Sequence, residues 1–485
     1  MTLDARPEPD TSEQPDTPDQ PDQTKQSARQ STWAALRPLL LRLHFYAGVL
    51  IAPFLFIAAT TGLLYALSFQ AEKAVYRYEL SAPVGDTTLP LSEQVAAARE
   101  TQPDDATVTA VWPSSEDGAT TRVLFDSPKV ADDASLAVFV DPYTAEVRGE
   151  LASYGSSGAL PLRAWLSQLH ADLHLGELGR NYSELAASWL WVVALGGVAL
   201  WFGRRRARRR DLVIPTTGQR KGRTKTLSWH GTVGLWAALG LVLLSATGLT
   251  WSRYAGESIG ALRSQLGGQT PSVDATLAGG AAPASGGGHE GHGGDHGATG
   301  HQGPDIGLDR VLEIARAEGI DGQLTISLPS EDSGYVVRQT DKQVPLHLDS
   351  VAIDPADGTV VDTLRFADYP MLAQLTSIGI AAHMGVLFGL ANQLALAALM
   401  VGTLLLIVWG YRMWWLRRPT RDRALSVGRP MPRGAWRKVP LPGLLPLAAV
   451  AALVGWFVPM LGISLLAFLV IDAAAGLVTR ARAGA

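Results

Sequence analysis

The 485-residue chain contains no cysteine. That excludes disulfides, thiolate metal sites, cysteine-ligated iron–sulfur clusters and haem attached covalently through a C-x-x-C-H motif. Any redox group must be held non-covalently by other side chains. Charge is sparse, at 18% of residues against 47% hydrophobic. No cleavable signal peptide is visible; residues 1–32 are rich in Pro, Asp and Gln and are expected to form a disordered tail. No Gly-rich dinucleotide fingerprint follows a strand, so no fused nicotinamide or flavin domain is expected.

What is present is hydrocarbon-length apolar sequence. Four runs, at about 45–68, 184–203, 231–251 and 384–410, are long enough to cross a bilayer core. A fifth, about 442–472, is interrupted by Pro459 and reads as one kinked span, with a tight hairpin around Trp456–Pro459 as the alternative because Arg480 and Arg482 favour the inside. No broken span and no intramembrane carboxylate stands out in the first four, which argues against transport. The formal net charge of −4 hides an asymmetry. The links 204–226 and 412–440 carry ten and nine Lys/Arg respectively, each with one Asp. The positive-inside rule makes both links cytoplasmic and the long acidic loops external, with the N-terminus inside. Lipid headgroups explain the basic links better than nucleic acid does.

The chain repeats itself. The spans beginning at His44 and His230 each have Gly at +4, Gly48 and Gly234, and Thr-Gly-Leu from +17, at Thr61-Gly62-Leu63 and Thr247-Gly248-Leu249. "LHLGELG" at 173–179 resembles "AHMGVLFG" at 382–389, which aligns His174 with His383. Each external loop opens with an amphipathic helix pattern and continues in strand-like segments to an Asp-Pro turn. The expected fold is an integral membrane α-helical bundle of two parallel hairpin repeats, about five spans, with two external α+β modules. The boundaries read as follows: tail 1–32, span 33–69, module 70–169, span with entry segment 170–203, link 204–226, span 227–252, linker 253–303, module 304–372, span 373–411, link 412–440, fifth span 441–474 and tail 475–485.

By depth, His44 and His230 fall on the cytoplasmic side, and His174 and His383 on the external side. Two facing imidazoles on helices can ligate one haem iron, so two pairs predict two b-type haems. Gly48, Gly176, Gly234 and Gly385 are expected to leave room for a flat ring. The bland alternatives are interfacial histidines and helix-packing glycines. His170, four residues before His174, has Gly379 as its expected counterpart and could replace His174 as ligand. Arg163 and Arg180 are candidates for holding haem propionates or an anionic chelate. A Gly-rich insert at 286–301 carries His289, His292, His296 and His301, a candidate weak site for Cu²⁺, Ni²⁺ or Zn²⁺.

These motifs resemble PepSY-associated transmembrane proteins, also called iron-regulated membrane proteins, over roughly residues 36–415. The resemblance implies small PepSY-like external modules and haem between the spans, with His44, His230, His174 and His383 matching the family's membrane histidines. It also implies similarity to ferric-siderophore reductases. The expected function is transmembrane electron transfer to an external ferric chelate. The electron donor would be a cytosolic reductase or quinol. The alternative is a non-redox membrane protein whose modules bind peptides or regulate a peptidase.

Overall fold

The computed structural model describes residues 32–204, 209–216, 222–277, 303–417 and 433–483. The histidine-rich insert and almost all of the expected tail lie outside the described residues.

The helices α1 (Thr32–Leu50) and α2 (Ala52–Val75) form one kinked rod. Proline at 53 has no N–H, so the carbonyl of Val49 loses its helical donor. The Tyr411 hydroxyl donates to that carbonyl instead, at 2.8 Å. In an apolar surround a freed backbone carbonyl needs such a partner. A first extramembrane segment follows: α3 (Leu91–Glu100) and strands β1 (Thr107–Trp112), β2 (Thr121–Asp126), β3 (Ala134–Val140) and β4 (Val147–Tyr154). The chain returns through α4 (Pro161–Asp172) and α5 (Glu177–Phe202), then crosses again as α6 (Arg223–Thr250) and continues into α7 (Tyr254–Gln265). The second extramembrane segment comprises α8 (Leu308–Ala317) and β5 (Leu324–Ser327), β6 (Tyr335–Gln339), β7 (Ser350–Ile353) and β8 (Val360–Leu364). Then come α9 (Met371–Met384), α10 (Gly389–Trp415), α11 (Leu441–Phe457) and α12 (Pro459–Ala483).

Five helices are long and apolar enough to cross a membrane: α2, α5, α6, α10 and the Pro459–Thr479 portion of α12. The α1–α2 rod, α5, α6 and α10 pack in a closed ring, each against its two neighbours. The fifth apolar region differs from expectation. It is a helical hairpin, α11 and α12, rather than one kinked span. Proline at 459 starts the second helix, and the backbones of Gly455 and Gly462 approach so closely that a Cβ on Gly462 has no room. Arg433, ahead of α11, reaches Asp472 and Thr479 on the far half of α12, so the two helices run antiparallel.

The extramembrane segments also differ from a picture of two separate modules. They form one eight-stranded antiparallel sheet, ordered β4-β3-β2-β1-β5-β6-β7-β8. The join is β1 against β5, with Val111 opposite Ile326. Strand alternation divides β3 between two cores. Leu136, Val138 and Val140 face α3 and α8, which share one core over the middle of the sheet. Ala137 and Phe139 face the other way, toward Leu160 and Leu80 at the ends of the bundle helices. The layers are therefore helices, sheet, bundle. The Asp-Pro turns form as read: Asp141 Oδ1 accepts from the Tyr143 N–H and Asp354 Oδ1 from the Ala356 N–H, both at 2.8 Å.

Candidate functional site

The bundle has a sheet side and an opposite side, where the basic links run. His44 and His230 meet near the link side, with ring centroids 6.4 Å apart and planes at 77°. His44 sits on α1 and donates from Nδ1 to the Val193 carbonyl of α5 at 3.1 Å. His230 sits on α6 and donates from Nδ1 to the Leu406 carbonyl of α10 at 3.0 Å. A carbonyl can only accept, so each proton is on Nδ1 and each Nε2 keeps its lone pair.

On the sheet side the imidazoles held inside the bundle are His170 and His383, not His174 and His383 as expected. His170, at the end of α4, bonds through Nδ1 to the Thr61 hydroxyl at 2.9 Å. His383, at the end of α9, bonds through Nδ1 to the Thr247 hydroxyl at 2.6 Å. Each threonine has one proton, and it is already committed to its own helix: Thr61 donates to Ile57 at 3.0 Å and Thr247 to Leu243 at 2.7 Å. The threonine oxygens therefore accept from Nδ1–H, and Nε2 is again the free lone pair. None of the four Nε2 atoms carries a hydrogen bond among the described residues.

His174, the residue aligned with His383 by sequence, points elsewhere. Leu173 and His174 both adopt left-handed backbone, with φ of 57° and 54°. That turn carries the His174 side chain out of the bundle. Its ring is exposed, stacks on Trp165 at 4.9 Å, and donates from Nε2 to the Trp165 carbonyl at 3.0 Å. The repeated "H-x-G" lettering misled the alignment. The better guide is the helix end, since His170 and His383 each lie in the last turn before a left-handed residue, Leu173 and Gly385.

The glycines that touch the imidazoles are not the four singled out from the sequence. Gly48 and Gly176 have nothing near them, and Gly234 and Gly385 face leucine or glutamine rather than a ring. The glycines against the imidazoles are Gly197, Gly62, Gly248 and Gly410. A Cβ on these would lie 3.0 Å from Cε1 of His44, 3.2 Å from that of His170, 3.4 Å from that of His383 and 3.9 Å from that of His230. Two are the glycines of the Thr-Gly-Leu triplets, so each triplet supplies both a hydrogen-bond acceptor and a flat wall. Gly197 and Gly410 each lie four residues after the carbonyl that accepts from the neighbouring ring.

Sequence reasoning missed one intramembrane carboxylate. Glu184 on α5 is 1% exposed and accepts the Tyr254 and Ala255 N–H groups at 3.1 and 2.9 Å, capping α7. Arg163 is already committed, pairing with Glu72 at 3.1 Å and donating to the Ser157 carbonyl. Arg180 is exposed. Above the sheet-side pair, Arg122 lies between the Trp112 and Phe139 rings at 5.4 and 5.3 Å, and burial pushes its guanidinium down to about 10. No cluster of three or more His, Asp or Glu suited to a bare metal ion occurs among the described residues. The four insert histidines lie outside them.

Apolar helices in a closed ring beneath a broad extramembrane sheet define a multi-pass membrane protein. The chain belongs to the family described as PepSY-associated TM region, whose model matches residues 41–417. No curated protein matches the chain.

Proposed function

We propose that the chain holds two b-type haems, one between His44 and His230 and one between His170 and His383, and conducts electrons across the bilayer to a ferric complex. One observation carries this reading. Four half-buried imidazoles from different helices all donate through Nδ1 and keep Nε2 for a ligand. A metal-binding histidine typically donates its other ring N–H to a carbonyl or hydroxyl, which fixes the tautomer and the ring plane. The 6.4 Å centroid separation of His44 and His230 fits too. Two imidazoles clamping one metal from opposite sides, with bonds of about 2 Å, place their centroids about 6 Å apart. The glycine walls add space where a flat macrocycle needs it.

When bound, haem supplies reversible one-electron iron chemistry. The protein's own part is to hold the tautomers, exclude water and set the depth of each pair. From His44 to Thr61 and from His230 to Thr247 is 17 residues, roughly 25 Å along a helix. The pairs would therefore serve opposite faces of one bilayer. In this reading the spans are two parallel repeats and the halves of the sheet two PepSY-like modules. The basic links face the cytoplasm, where a reductase or quinol supplies electrons, and a ferric siderophore or other metal complex is reduced on the sheet side.

The test is the visible spectrum of the full-length protein after haem-replete expression. A red sample with resolved α and β bands on reduction is expected. His44→Ala and His170→Ala should each remove about one of the two haems, and His174→Ala neither. A colourless, folded wild type overturns the proposal and favours the peptide-binding role.

A further inference from the structure

On the link side, α6 and α10 part around a cleft of about 290 Å³ lined by Gly222, Lys225, Thr226, Trp229, Trp409 and Arg412. It holds two cations and no anion, and neither Lys225 nor Arg412 has an ion-pair partner among the described residues. The Trp229 and Trp409 indoles stand 6.0 Å apart just below the cations. Deeper along the same two helices the outward surface is apolar apart from the Trp236 N–H, which donates to the Val213 carbonyl at 3.0 Å, with Trp236 71%, Val408 51% and Leu405 42% exposed. Lys225 to Trp236 is 11 residues, roughly 16 Å of helix. Charge, indole and hydrocarbon surface thus follow one another down a single groove.

We propose that this cleft binds one anionic phospholipid, with its phosphate between Lys225 and Arg412. The ester region lies at the two indoles, and the acyl chains run along Trp236, Leu405 and Val408. A free phosphate would answer the cations and leave the graded surface below them unexplained. Paired cations attract an anionic headgroup, and indoles favour the boundary between headgroup and hydrocarbon. The proposal does not depend on haem.

The test is native mass spectrometry of the full-length protein extracted from bilayers of mixed phosphatidylglycerol and phosphatidylcholine. One phosphatidylglycerol should survive delipidation that strips phosphatidylcholine. The double variant Lys225→Gln/Arg412→Gln should hold it roughly 30-fold more weakly. The conservative pair Lys225→Arg/Arg412→Lys should retain it. Arg37→Gln/Arg210→Gln, which removes the same charge elsewhere on the link side, should have no effect. Three results would overturn the proposal: equal retention of the two lipids by wild type, equal loss in the distant charge variant, or displacement of the lipid by millimolar inorganic phosphate. The lipid comparison and the phosphate competition use wild-type protein, so a misfolded variant does not protect the idea.

Discussion

Replacing Thr247 by valine keeps its shape and removes the oxygen that accepts from His383 at 2.6 Å. The imidazole N–H then has no water to turn to inside the bundle. A buried donor left without a partner costs about 1–3 kcal/mol in soluble proteins. Polar pairs between membrane helices average nearer 0.6 kcal/mol and reach about 1.7, because helices unfolded within the membrane also find partners. The short bond and the half-buried site put the expected loss at about 1 kcal/mol, reduced slightly by relief of the Thr247 bond to Leu243. Denaturant unfolding in detergent would measure it, with His383→Phe and the double variant completing a cycle. Thr247→Ser should be close to wild type. Thr250→Val is the control, since its hydroxyl bonds only the Thr247 backbone carbonyl at 2.6 Å. A coupling energy near zero, or a control variant as damaging as Thr247→Val, would refute the tautomer argument. With haem bound, losing this support should also weaken retention by about 10- to 100-fold.

Asp309 of α8 accepts from the Leu91 and Ser92 N–H groups of α3, at 2.6 and 3.3 Å, and so caps a helix of the other half of the sheet. Asp309→Ala should cost about 1 kcal/mol and speed exchange of those two amides. Asp472 pairs with both Arg42 and Arg433 and ties the α11–α12 hairpin to α1. Asp472→Asn should destabilise by about 3 kcal/mol, since the Arg42 side chain is only 11% exposed, and should open the hairpin to protease first. Gly197→Ala should push the His44 ring and weaken ligand retention at the link-side pair, leaving the sheet-side pair unchanged. Glu150 accepts from Gln102 and pairs with Lys129, and these hold its carboxyl below the usual range. A depressed folded value means stability present above the ordinary carboxylate pKa and lost as pH falls through the folded value. Glu150→Gln should flatten that acid limb in thermal melts, by well under ~1 kcal/mol, because the pair is about half exposed.

Much of the architecture was legible because it follows from local chemistry. Apolar runs of bilayer length marked the four principal spans, and the Asp-Pro turns marked two hairpins. His44 and His230 were found as a pair from their place ahead of matching spans, and they do lie against each other. His170 was kept as the substitute for His174 and ranked behind it, because the similarity of "LHLG" to "AHMG" outweighed position on the helix. The left-handed turn at Leu173–His174 overrides that similarity by rotating His174 outward. The hairpin at Pro459 was open to either reading, since a proline both kinks a helix and begins one. Its antiparallel course rests on Arg433 and Asp472, 39 residues apart, meeting at 2.9 Å.

The amino-acid sequence by itself determined which segments enter the lipid and that any redox group must be bound without thiolates. Hydrophobicity, strand alternation and the absence of cysteine are properties of the residues one at a time or over a few turns. Tertiary structure alone decided that His170 rather than His174 turns into the bundle and which glycines line the imidazoles. It also decided that α3 and α8 share a core over one continuous sheet. Those outcomes depend on carbonyls, hydroxyls and strand edges brought together from more than a hundred residues away, where no local pattern records who the neighbour will be.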